Sequence, residues 1–258
     1  MIRTVFRMML VTSLKDKITL FYALLFPMLL MAGLGYYFES PEYRERLLVG
    51  VMAISTLFWA MQGVSFQVYG QRNKGVYKRL KLTPFPAVSF VLALTLARTL
   101  LGLAINAVIL LIGAPAFGIA ITLPGVILLL AMLVGGMFCF TCLGFLVVSF
   151  ARNEGQINML SNLLQIPMVF GSDAFYSLSA VPDWLARAGK CFPFAYFVDG
   201  LQAAAKTDVR PWGVSMFILL GFALIILVLA ALTFRWDPEH KNIGLRMRKR
   251  TANGGANG

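Results

Sequence analysis

Three side-chain amides recur on one apolar stretch of this chain: Asn158, Asn162 and Gln165, at i, i+4 and i+7. A helix gathers residues at that spacing on one face. On an earlier stretch Ser55, Gln62 and Tyr69 stand seven residues apart, with Ser65 close to the same face. Amides and hydroxyls on an apolar helix either bond to neighbouring helices or offer hydrogen bonds along a path between helices. Neither role makes or breaks covalent bonds. An intramembrane enzyme would need a His, Asp or Cys constellation, and the single histidine is His240, so HExxH metal chemistry is excluded. No GxxxxGK[ST] nucleotide loop occurs. Cys139 and Cys142 sit one turn apart in an apolar CFTC, where they read as packing residues, since a redox or metal CxxC needs polar surroundings. Cys191 stands alone and could bridge to a second copy of the chain.

The elements that must carry these residues are long and apolar. Six runs, 18–38, 47–69, 87–117, 124–150, 157–176 and 212–234, fill most of the 258 residues, of which 59% are hydrophobic. A helix of about 20 apolar residues crosses a hydrocarbon core of roughly 30 Å, and in lipid only a helix satisfies its own backbone over such a run. The expected fold class is all-α: a polytopic membrane protein with six transmembrane helices in a single domain, 1–258. The first run is of membrane length and reads as a span, not a cleaved leader.

Charge orients the spans. The net charge is +12, and the cations gather in alternate gaps. One side holds Arg3, Arg7, Lys15, Lys17, Arg72, Lys74, Lys78, Arg79, Lys81, Arg152, Arg235, Lys241, Arg246, Arg248, Lys249 and Arg250. The other holds only Arg44, Arg46, Arg187, Lys190, Lys206 and Arg210, offset by acids such as Glu39, Glu42 and Glu45. The positive-inside rule places the first side, with both termini, in the cytoplasm, so the chain is expected as a multi-pass protein of the cell (cytoplasmic or inner) membrane. The charge is spread over four segments without base-stacking aromatics, which argues against nucleic acid as a partner.

Residues 1–17 read as an amphipathic helix lying along the inner interface, with apolar groups in membrane lipid and basic groups by the headgroups. Pro27 removes a backbone donor from the first span and is expected to kink it. The 70–86 stretch is the one sizeable cytoplasmic loop between spans, and a short amphipathic helix is expected before Thr83 and Pro84. Arg98 falls inside a 31-residue run, where a snorkelling position at the inner boundary serves better than a contact deep in the membrane. Asn106 reads as a packing hydrogen-bonder, and Gly135, Gly136 and Gly144 allow close helix approach. The 173–206 segment is too short and broken to cross. Pro182, Pro193 and several aromatics predict two short helices dipping into the outer leaflet, covered by protein. The tail, 236–258, is polar, basic and glycine-rich.

Two stretches resemble a known family. KGVYKRLKLTPFP resembles the GTxxRLxxTP loop of ABC-2-type transporter permeases, the membrane subunits of ATP-binding-cassette exporters. The outer stretch 170–202 is similar to the family's re-entrant segment, with Pro182, Trp184 and Leu185, then Pro193 and Tyr196, then Gly200 and Leu201. Gln71 and Asn73 stand where the family often has acidic residues, and Gly171-Ser172-Asp173 where it often begins Ser-Gly. The resemblance implies that Lys74, Gly75, Tyr77, Lys78, Arg79, Leu80, Thr83 and Pro84 form a loop coupling to separate cytoplasmic ABC ATPase subunits. Those subunits would bind ATP and Mg, and this chain would bind no cofactor. It also implies a second permease chain, identical or not, with the second and fifth spans lining the path between them. Gln62, Ser65, Asn158, Asn162 and Gln165 are then the path candidates, and Pro182, Trp184, Pro193 and Tyr196 an outer re-entrant gate. The implied cargo is amphipathic or lipophilic: a drug, peptide antibiotic or lipid. A glycan exporter of the same fold is an alternative. A secondary transporter is a weaker one, because the spans lack an internal carboxylate apart from Asp173 near one end.

Overall fold

The computed structural model describes residues 2–15, 17, 21–38, 40–76, 87–176 and 182–233. These are helical, with no strand among them. In chain order they form α1 (Ile2–Lys15), α2 (a π-helical turn, Phe21–Leu25, running into Phe26–Tyr37) and α3 (Pro41–Asn73). Then come α4 (Ala87–Phe117), α5 (Leu123–Phe150), α6 (Glu154–Phe170), α7 (Asp183–Gly189), α8 (Pro193–Ala205) and α9 (Val209–Thr233).

Short polar signals set these boundaries. Pro41 and Pro193 occupy first helical turns, where a missing N–H costs nothing. Thr122 caps α5 by accepting from the Gly125 N–H at 3.2 Å, and Asn153 caps α6 by accepting from Gln156 N at 2.8 Å. Gly118 ends α4 at φ 67°, so that Gly118 N reaches Pro115 O at 3.2 Å and Ile119 N reaches Ala114 O at 2.8 Å. The same paired closure ends α8, with Thr207 N on Ala204 O at 3.0 Å and Asp208 N on Ala203 O at 2.8 Å. There a β-branched residue, Thr207, holds φ 59°.

Among the described residues four helices are long and apolar enough to cross a membrane: α3, most of α4 (Leu92–Phe117), α5 and α9. The other two apolar runs give shorter helices. Ala23–Tyr37 is a short apolar helix, and α6, at 17 residues, ends where Gly171 turns the chain. At 1.5 Å per residue α6 reaches about 26 Å, a little less than a hydrocarbon core. Pro27 lies in the first turn after the π-helical turn of α2, so its missing donor falls where the ladder is already reset.

α3 is the axis of the bundle, packed against α2, α4, α5 and α8. α9 lies outside, on α5 and α8. α8 belongs to the core: Phe194, Phe197 and Leu201 are fully buried, and the Phe197 ring meets Phe140 edge-on at 5.3 Å. Gly136 makes room for that ring, and Gly144 lets α5 approach the Met61 carbonyl of α3. Cys139 and Cys142 are buried in the same core. α1 packs on α4 while Met8, Val11 and Leu14 face outward.

Candidate functional site

The two polar faces meet. Gln62, at the end of a π-helical turn spanning Phe58–Gln62, donates from Nε2 to Asn158 Oδ1 at 2.9 Å. A π-turn inside an α-helix shifts the register of every residue after it, and such turns recur at functional sites. Here the shift separates the residues expected on one face of α3. Ser55 donates to the Ala23 carbonyl of α2, and Tyr69 donates to Arg152 O at 3.3 Å. Ser65 is fully buried and donates to Met61 O at 2.8 Å and Gly144 O at 2.9 Å, so its hydroxyl holds α3 to α5.

The amides of α6 divide as well. Asn158 and Asn162 are exposed, alongside Met159, Leu163, Ile166 and Phe170. Gln165 turns inward at 2% exposure with Ser161, and neither the Gln165 amide nor the Ser161 hydroxyl has a hydrogen-bond partner among the described residues. Ser161 and Gln165 are one helical turn apart, and α6 packs there against the π-turn of α3, α5 and α8. An unpaired buried amide costs about 1–3 kcal/mol, so this spot calls for a hydrogen-bonding guest or water. Ser161 is not among the residues that the polar spacing singles out. Its distance of four residues from both Gln165 and Ile157 is the signal that could have found it.

Of the loop expected to couple to a partner, Lys74 and Gly75 are described, and Tyr77, Lys78, Arg79, Leu80, Thr83 and Pro84 lie outside the described residues. α3 runs on to Asn73, so the loop begins at Lys74, four residues later than expected. Lys74 is exposed. Gly75 sits at φ 66° with open space around it, a conformational requirement and not a steric one. Arg72 bolts this point down: it donates to Ala151 O at 3.0 Å and Val148 O at 3.4 Å, the last carbonyls of α5, and lies over the Tyr69 ring at 5.6 Å. The start of the loop is thus tied to the α5–α6 junction.

Arg98 departs from expectation. It does not snorkel: it is 1% exposed, its guanidinium 4.5 Å above the Trp59 ring and 2.7 Å from Gln67 Oε1, while Trp59 Nε1 donates to Arg98 O at 2.8 Å. Stacking on indole and an amide acceptor keep the charge without bulk water. Gln67 Oε1 also accepts from Ser13 of α1 at 3.2 Å, so one amide joins α1, α3 and α4. Asn106 bonds Thr56 Oγ1 and Gly102 O, each at 3.0 Å, as a packing residue does.

A family model of ABC-2 type transporters matches residues 2–205. The chain belongs to the ABC-2 type transporter family. As an ABC-2 type transporter it is a multi-pass membrane protein, and membership implies association with ABC ATPase components. No curated protein matches the chain. The match reaches from α1 through α8, and so takes in both polar faces, the loop and the outer segment of this transporter.

At the outer segment, Pro182 precedes α7 and Trp184 is 68% exposed. Pro193 is buried at the start of α8, and the Tyr196 ring lies 6.0 Å from Phe222 of α9. The two short helices are present, with 177–181 outside the described residues. Gly171 and Gly189 cross backbone to backbone, and Gly50 of α3 meets the Ala174 carbonyl, so this segment is wedged into the bundle. Asp199 keeps an exposed edge, yet desolvation of its carboxyl pushes it up to about 6, with Asp173 adding and Lys190 opposing.

Proposed function

We propose that this chain is the permease subunit of an ABC exporter, moving an amphipathic or lipophilic solute by alternating access. Two permease chains form the path, and separate ATPase subunits holding ATP and Mg drive it. The charge asymmetry supports a cytoplasmic position for both termini and the 70–86 loop. The observation that carries the reading is the Gln62–Asn158 contact beside the unpaired Gln165 and Ser161. Hydrogen-bonding groups set in an apolar wall suit a solute with both characters. Asn158 and Asn162 face away from the chain's own core, as residues shared with a second copy would.

In this reading the loop around Lys74, Gly75, Lys78, Arg79 and Thr83 docks on the ATPase. Arg72 and Tyr69 pass its movement to the α5–α6 junction, and with it to Asn158. Ser65 holds the α3–α5 spacing behind the path, and the wedged outer segment with Pro182, Trp184, Pro193 and Tyr196 closes the far end. The test is transport in inverted vesicles carrying the permease with its ATPase, with and without ATP. Uptake should require ATP. Asn158→Leu and Gln165→Leu should change which of a panel of lipophilic dyes is moved while assembly persists. Asn162→Cys should cross-link two copies. Uptake independent of ATP, or unchanged dye preference together with no cross-link, would overturn the reading.

A further inference from the structure

Between the first turns of α3 and the last turn of α8 lies a cavity of about 260 Å³, lined by Glu42, Glu45, Arg46, Val49, Gln202 and Lys206. We propose that it binds a zwitterionic group, an ammonium joined by a short linker to an anionic oxygen acid, as in an ethanolamine phospholipid headgroup or a small soluble zwitterion. This does not depend on what the permease carries.

The charges make the case. Two carboxylates, a guanidinium and an ammonium face one space, yet none of the four forms an ion pair with another described residue. A lone cation would meet only the carboxylates and a lone anion only Arg46 and Lys206, so each would use half of the lining. A dipolar guest with both charges answers both sets at once. At roughly 30 Å³ per water the cavity has room for about nine water-sized groups. That suits a headgroup or an amino acid and is too small for a drug-sized solute.

The walls are held in place before any guest arrives. Gln202 Nε2 donates to Asp173 O at 3.0 Å, fixing the α8 side to the outer segment. Thr207, in the left-handed conformation next to Lys206, shares a hydrogen bond of 2.7 Å with Thr122 at the start of α5. On the α3 side, Gly50 is in contact with Ala174. Tyr36 and Tyr37, 89% and 77% exposed at the end of α2, suit the belt where headgroups lie, and only three residues separate them from α3, whose first turns line the cavity.

The experiment reconstitutes the full chain in vesicles of phosphatidylethanolamine, phosphatidylglycerol and phosphatidylcholine in equal parts. The chain is then re-extracted and its retained lipids are weighed by native mass spectrometry. In parallel, thermal unfolding is followed in detergent with added phosphoethanolamine. Retention of the ethanolamine lipid over the glycerol lipid should be about tenfold, the scale of one charge-assisted hydrogen bond. Glu45→Gln and Lys206→Gln, both at exposed positions, should each abolish most of it, and Glu45→Lys with Lys206→Glu should restore part. Lipid retention without stabilisation by phosphoethanolamine identifies the lipid as the ligand; stabilisation without lipid selectivity identifies a free zwitterion. Neither effect, or effects that both single variants leave unchanged, overturns the proposal. A permease that fails the ATP-dependent uptake test would leave these outcomes untouched.

Discussion

α3 and α9 are both long enough to span a membrane, yet the bundle treats them oppositely. The apolar window of α3 has a mean hydropathy of 1.8 and is 89% buried, whereas that of α9 reaches 2.9 and is only 28% buried. In water the more apolar helix would take the centre. In lipid the ordering reverses, because hydrocarbon accepts leucine as readily as a protein core does, while polar groups must find partners inside the bundle. α3 carries Ser55, Thr56, Trp59, Ser65 and Gln67, each bonded to another helix or to a carbonyl of its own. α9 turns Phe217, Leu224 and Leu232 outward and buries only a thin line of Ser215, Leu219, Ala223, Ile226 and Ala230.

The contrast can be broken most forcefully at Arg98. Arg98→Ala removes the guanidinium from the Trp59 face and from Gln67 at the α3–α4 contact. It should cost about 2–4 kcal/mol of unfolding free energy in detergent, from the void left over the Trp59 ring and the lost bond to Gln67, with Arg98→Lys recovering little because an ammonium cannot stack flat. A loss below about 0.5 kcal/mol would mean that burial of α3 does not rest on its polar contacts. Next in size is Gly144→Val. A Cβ there would stand 2.6 Å from the Met61 carbonyl, so α5 must move away from α3 and the Ser65–Gly144 bond must lengthen. About 1–3 kcal/mol is expected, read from the melting temperature. The smallest effect belongs to α9: Leu224→Ala, at a side chain 63% exposed, should fall within about 0.5 kcal/mol. A cost of about 2–5 kcal/mol there would show that protein, not lipid, covers this face.

The sequence made some of this visible and hid the rest for physical reasons. The apolar runs told where helices form, because periodicity is local, whereas the caps Asn153, Thr122 and Gly118 came to light only with the structure. The spacing put amides on two separate helices, but the bond between Gln62 and Asn158 came to light only with the structure. Which helix would be central was not legible, since hydropathy alone points the wrong way in lipid. The π-turn at Phe58–Gln62 carries no residue signature, so Ser55, Ser65 and Tyr69 left the face on which even spacing had put them. Arg72 passed for one more cytoplasmic charge, because its acceptors are Val148 and Ala151, far away in the chain. For Arg98 the sequence shows lipid and water as the only surroundings. The indole that receives it comes from another helix, 39 residues earlier.

The amide of Gln67 bears on how the protein is built in the cell. Its oxygen serves Ser13 and Arg98 together, so its full set of bonds forms only when α1, α3 and α4 have come together. The ribosome delivers α1 first and α4 last. Inserted alone, an arginine at a helix centre costs about 2.5–3.5 kcal/mol. Docking on the waiting Trp59 and Gln67 recovers that cost. The order of emergence places the receiving surface in the membrane before the charge that needs it.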